Sequence, residues 1–216
     1  MYPNRDEEYD RIRKLVISVI LDYNITIKDY PIDMDKLCKR MDINVVPYSA
    51  YAENPKLELL LKRSQDGFNI LRNSKQKAAI YYNDKYGEHL TPARISHTKA
   101  HELKHILEED KDDSDESLCD NFAKYLRCPI PLVLYLKIDT KQELISRFGI
   151  SDEQAGYILT QAKRHKNKFQ NKYYDYEVLL IKQIIGSEVE ISNDLIMSSS
   201  DDADGLFDDL LEFNKL

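Results

Sequence analysis

Two histidines four residues apart, with a glutamate directly after the first, constrain this 216-residue chain more than any other feature: His101-Glu102-Leu103-Lys104-His105. The surrounding run, "SHTKAHELKHIL", reads as a helix, and on a helix residues i and i+4 stand about 5–6 Å apart at Cβ on one face. His101 and His105 can therefore aim two imidazole nitrogens at one ion. Glu102 sits one residue further round, about 100° away, off the line of a third ligand but within reach of a water on the ion's open side. That is the place of a general base. Zinc lowers the pKa of a bound water to roughly 7, so the chemistry this triplet fits is metal-assisted hydrolysis, with a peptide bond as the first expectation. The opposing reading is a solvated helix face whose histidines pair with the acids of "EEDKDD".

A third ligand separates the two readings. Glu116 and Asp120 stand four apart in "DESLCDNFAKYL", again on one helical face. If their helix runs antiparallel to the first, Glu116 can complete a tetrahedral site whose fourth position is left to water. Asp120, one turn on, can then accept the outer N–H of a ligand histidine and fix its orientation. Asp112, Asp113 and Asp115 compete for the ligand role. Cys119 is a further candidate, although a small buried residue under the site is the simpler reading of it.

The rest of the chain is consistent with one soluble catalytic domain plus a small appendage. The residues are 42% hydrophobic and 32% charged, and no run approaches the ~18 apolar residues of a membrane span. The polar start "MYPNRDEEYDRIRKL" lacks a secretory pattern, and three cysteines without a Cys-x-x-Cys pair read as reduced thiols, so a cytoplasmic location is expected. A net charge of −7 argues against an autonomous nucleic-acid binder.

Apolar residues at three- and four-residue steps from Ile12 to Tyr23 predict a first helix. Further along, a helix is expected near Leu37, a strand at "INVV", a short helix in "NPKLELLLKRSQ" and two strands in "DGFNILRNSKQKAAIYYND". "TKQELISRFGISDEQAGYILTQAKRH" has two helical stretches, with Gly149 at the stop of one and Ser151 at the start of the next, in the manner of a helix-turn-helix. The expected class is α+β: a mostly helical metallopeptidase domain with a small sheet (1–135), a helix-turn-helix-like region (136–186) and an acidic, structureless tail (187–216).

Four segments, "PIDMDKLCKRMDINV", "AAIYYND", "RISHTKAHELKHIL" and "ESLCDNFAKYLRCP", follow in order the pattern of the ImmA/IrrE family of metallopeptidases. The resemblance runs over about residues 8–165 and includes Thr98-Lys99-Ala100-His101-Glu102, then Glu116, Asp120, Phe122, Ala123 and Pro129. It implies a zincin-like domain in which His101, His105 and Glu116 hold one Zn2+ per chain and Glu102 is the catalytic base. It also implies a helix-turn-helix-like part. The expected activity is cleavage of a helix-turn-helix repressor of a mobile element or stress response, an anti-repressor role in transcription regulation. The chain departs from the pattern at Lys104, where glycine is frequent and where a lysine would bring positive charge near the rim of the metal site. It departs again at Cys119 and at Arg127-Cys128.

His97 lies four before His101 and would add an imidazole to the same face; it is read either as a filler or as a residue that orients substrate. "AKRHKNKFQNKYYDYE" mixes cations and tyrosines that can contact nucleic acid, against the plainer reading of a solvated helix. "LFDDLLEF" can form a short docking helix, against plain disorder. The runner-up function is a non-catalytic, metal-bearing module that sequesters a repressor or contacts DNA.

Overall fold

The computed structural model describes residues 5–109 and 116–198. The class is α+β, with helices, one three-stranded sheet and a separate two-stranded one. Helix α1 (Arg5–Asp22) buries Ile12, Val16, Val19 and Ile20, the periodic stripe expected of it. Helix α2 (Met34–Arg40) is capped by Asp33, whose carboxylate accepts from the N–H groups of Asp35 and Lys36. Strand β1 (Asn44–Pro47), helix α3 (Lys56–Arg63) and strands β2 (Gly67–Ile70) and β3 (Ala79–Tyr82) follow. β3 is central: it pairs parallel with β1 and antiparallel with β2, which leaves β2 an edge strand of this sheet.

Helix α4 (Pro92–Leu107) carries both histidines and Glu102. Its start is set by Thr91, which accepts from Arg94 N–H, and by Pro92 in the first turn. α4 lies so close to β2 that a Cβ on Gly67 would come within 2.7 Å of Thr98 Cγ2. Glycine there is what lets the strand approach the helix. Helix α5 (Glu116–Arg127) buries Leu118, Cys119, Phe122, Ala123 and Leu126. It runs antiparallel to α4, since His105 and His101 face Glu116 while His97 faces Asp120.

Helices α6 (Ile130–Tyr135), α7 (Lys141–Phe148) and α8 (Asp152–Phe169) come next. Gly149, at φ 61°, ends α7 in the left-handed conformation, and the Ser151 hydroxyl caps α8 by accepting from Gln154 N–H. The regions expected as 1–135 and 136–186 share a single apolar core that runs from Ile12 through Phe122 to Leu144, Phe148 and Ile158. A buried arginine, Arg127, ties them further by donating to Gly149 O at 2.8 Å and Gln154 Oε1 at 3.2 Å.

Strand β4 (Tyr173–Tyr174), helix α9 (Asp175–Ile185) and strand β5 (Ile196–Met197) complete the described chain. The expectation of a structureless tail from residue 187 is corrected for 187–198: Val189 is 7% exposed and β5 pairs parallel with β4. Val189 and Ile191 on the core, with the Ile196–Met197 strand, seat that segment. The remainder of the expected tail, 199–216, lies outside the described residues, and "LFDDLLEF" with it. No helix of the described residues is long and apolar enough to cross a membrane.

Candidate metal centre

The antiparallel pairing of α4 and α5 brings five residues singled out from the sequence into one cluster. His101 and His105 lie one turn apart, with ring centroids 5.3 Å from each other and the rings tilted. His101 Nε2 lies 2.9 Å from Glu116 Oε2, and His105 Nε2 lies 3.8 Å from Glu116 Oε1. The outer nitrogen of His101, Nδ1, is 3.1 Å from Asp120 Oδ1. His97 Nε2 reaches that same oxygen, also at 3.1 Å. His97 thus shares a carboxylate with His101 and still lines the open groove.

Among the described residues, two groups of three have all their donor atoms within 4.8 Å of one another, His101–His105–Cys119 and His97–His101–Asp120, and Glu116 belongs to neither. The nitrogen assignments nevertheless favour Glu116 as third ligand. Asp120 occupies His101 Nδ1, so Nε2 is the atom left for an ion. Cys119, fully buried, faces His105 Nδ1 at 3.8 Å. The two Nε2 atoms converge on the Glu116 carboxylate, which is 73% exposed and has room to adjust. Two imidazoles and one carboxylate are a donor set that fits zinc with one position left open. Asp112, Asp113 and Asp115, the competing acids, lie outside the described residues.

Electrostatics follow from the same contacts. Burial pulls His101 down, but its hydrogen bond to Asp120 and the charges of Glu102, Glu116 and Asp120 outweigh this and hold its pKa above the ordinary value. Burial, helped by the charges of His101 and Lys104, carries His105 the other way despite Glu102 and Glu116. Hydrogen bonds from His101 and then His97 keep the Asp120 carboxyl well below the usual carboxylate range against its partial burial. Asp120 is therefore a fixed anion, suited to orient His101.

Glu102 is 9% exposed and lies beside the histidines on the groove wall. Asn69 on β2 donates to its Oε2 at 2.9 Å. Sequence reasoning missed Asn69, because its role depends on strand register: it stands opposite Ile80, on the sheet face turned to α4. Lys104, expected to bring positive charge near the rim, is buried, and its charge does act on His105. It is 1% exposed, and its Nζ lies 2.9 Å from Glu108, which also binds Arg11.

The groove is open, about 1000 Å³ in volume, and runs from β2 past the histidines to the start of α8. At the β2 end, Asp66 binds Arg94 through two hydrogen bonds of 2.8 and 2.7 Å and has His89 at 3.4 Å. Gly67, Phe68 and Asn69 all line it. Successive side chains of a strand point to opposite faces, so the groove must follow the outer edge of β2. Compared with known proteins, the chain matches no family model, no curated protein and no solved structure.

Proposed function

We propose that this chain is a zinc-dependent endopeptidase of the zincin type, similar to the ImmA/IrrE family, and that it hydrolyses a helix-turn-helix repressor in the cytoplasm. The observation that carries the reading is the convergence of His101 Nε2 and His105 Nε2 on Glu116, with Glu102 next to them on the wall of a groove. A peptide is the substrate class that suits the groove's other wall. An edge strand offers its backbone N–H and C=O groups to an extended chain, which can lie along β2 with its peptide bonds beside Glu102.

His101, His105 and Glu116 would hold the zinc, which supplies Lewis acidity to polarise the scissile carbonyl and acidify a water. Glu102 takes the proton from the attacking water and delivers it to the departing amide nitrogen. Asn69 holds the Glu102 carboxylate in place through Oε2, leaving Oε1 for that proton. Asp120 keeps the His101 ring turned so that Nε2 faces the ion.

A second reading, a metal-bearing module that sequesters a repressor or contacts DNA, draws on Lys163, Arg164, Lys166 and Lys168, all exposed on the second half of α8. Glu102→Gln separates the two. It keeps size and polarity but cannot accept the proton, so hydrolysis of a helix-turn-helix repressor encoded beside the gene should fall by about two or more orders of magnitude while binding persists. If wild type and variant relieve repression equally and neither cuts, the binding module is the better account.

A further inference from the structure

We infer that the wall of the groove formed by α5 and α8 is a carboxylate-recognising subsite, built from Lys124, Gln154 and Tyr157, one turn beyond the metal cluster. The inference rests on the peptidase reading for its substrate, a peptide, but on separate residues for its chemistry.

Asp120, Lys124 and Arg127 succeed one another at i, i+4 and i+7 on α5, so Lys124 follows directly on the acid that orients His101. Gln154 and Tyr157 stand three apart on α8 and share a face. All but Arg127 line the groove. Lys124 Nζ is held 5.2 Å above the Tyr157 ring, and no carboxylate among the described residues forms an ion pair with it. Its nearest acid along α5, Asp120, is already committed to two histidines.

Gln154 supplies an independent sign of a missing acceptor. It is 8% exposed, and its Nε2 is a buried donor with no hydrogen-bond partner among the described residues. The amide orientation is not arbitrary. A guanidinium has only donors, so Arg127 must face Oε1, and Nε2 is turned away from it. A buried N–H without an acceptor is destabilising until an oxygen reaches it. The positive end of α8, an 18-residue helix, adds to the attraction for an anion. Glu153, exposed on the same wall, opposes it. An ammonium, an amide donor and a helix N-terminus together select a carboxylate over a neutral carbonyl. Such a group reaches the groove either as an Asp or Glu side chain of the substrate or as the free C-terminus of a peptide.

The test uses the zinc-loaded full chain carrying Glu102→Gln, so that binding is read without turnover. Fluorescent peptide pools of equal length, with Asp/Glu or with Asn/Gln at the varied positions, are each made with free and with amidated C-termini. The pools that carry the recognised carboxylate, as an acidic side chain or a free terminus, should bind about tenfold or more tightly than their neutral counterparts. A preference that survives amidation assigns a side chain; one that follows the free terminus assigns the C-terminal carboxylate. Adding Lys124→Gln should remove most of the preference. Gln154→Glu keeps an oxygen for Arg127, and with it the fold, but should also abolish it, whereas Glu153→Gln should strengthen it. Equal binding of acidic, amide, free and blocked pools overturns the subsite, as does a preference untouched by Lys124→Gln. Hydrolysis by the Glu102 enzyme is scored separately: cleavage without acid preference sinks only the subsite, and acid preference without cleavage sinks only the peptidase reading.

Discussion

The chain sets two histidine–carboxylate pairs in opposite surroundings. In the groove, His101 lies 2.9 Å from Glu116, whose side chain is 73% exposed. In the interior, His165 lies 3.7 Å from Glu177, with side chains only 9% and 2% exposed. Burial pushes Glu177 up to about 7, against the N–H of Tyr174 and the charge of Arg13 that favour its ionised form. Burial likewise lowers His165, whose Nε2 donates to Lys172 O at 3.2 Å. The interior pair therefore holds less charge than its separation suggests, with Glu177 raised to about 7 and His165 lowered, despite a distance that passes for an ion pair. The groove cluster has the reverse character, with Asp120 a firm anion and His101 raised. Proximity of histidine and acid does not make a site; retained charge at an open surface does.

Asp120→Ala should weaken zinc binding by about 10- to 100-fold, the usual cost of losing an orienting carboxylate. Glu116→Ala should weaken it more, because it removes a ligand. Competition with a chromophoric chelator measures both. If Asp120→Ala proves the more damaging, the ion belongs with His97, His101 and Asp120 instead. A smaller effect is expected at Asn69: Asn69→Ala should lower kcat roughly tenfold with zinc affinity unchanged, since it frees Glu102 without touching a ligand. A change in metal affinity of the same size would show that Asn69 shapes the site and does not serve the base.

The interior pair offers the last and smallest effect. A carboxyl raised in the folded state binds its proton more tightly there than in the unfolded chain. Its contribution to stability is complete below the ordinary value of 4.5 and is lost as pH rises through about 7. For a shift of that size the contribution is at most on the order of 3 kcal/mol. Urea unfolding across that range should show wild type losing stability relative to Glu177→Gln as pH rises. A difference between the two that does not vary with pH would mean that Glu177 is ionised in the fold.

Much of this was legible in the sequence, and for physical reasons. The α1 stripe, the Gly149 stop and the Ser151 cap are local signals, and the structure has all three. His101, His105, Glu116 and Asp120 were legible because four-residue spacings on two helices converge once the helices pack antiparallel. Asn69 was not, since it meets Glu102 only through the register of β2 on β3. The burial of Lys104 against Glu108 at i+4 was not legible, because it depends on how α4 packs in the fold. Residues 187–198 were misjudged by composition: Val189 and the Ile196–Met197 strand are too few to alter a window average, yet enough to anchor the segment.

Whether this cluster holds an ion is read most directly by a zinc titration of metal-free protein against a competing chelator. The expected result is one tightly bound zinc per wild-type chain, none after His101→Ala or His105→Ala, and one still bound after His165→Ala. A wild-type chain that binds no zinc, or a His105→Ala chain that binds it as tightly as wild type, would contradict the assignment of this cluster as a metal centre.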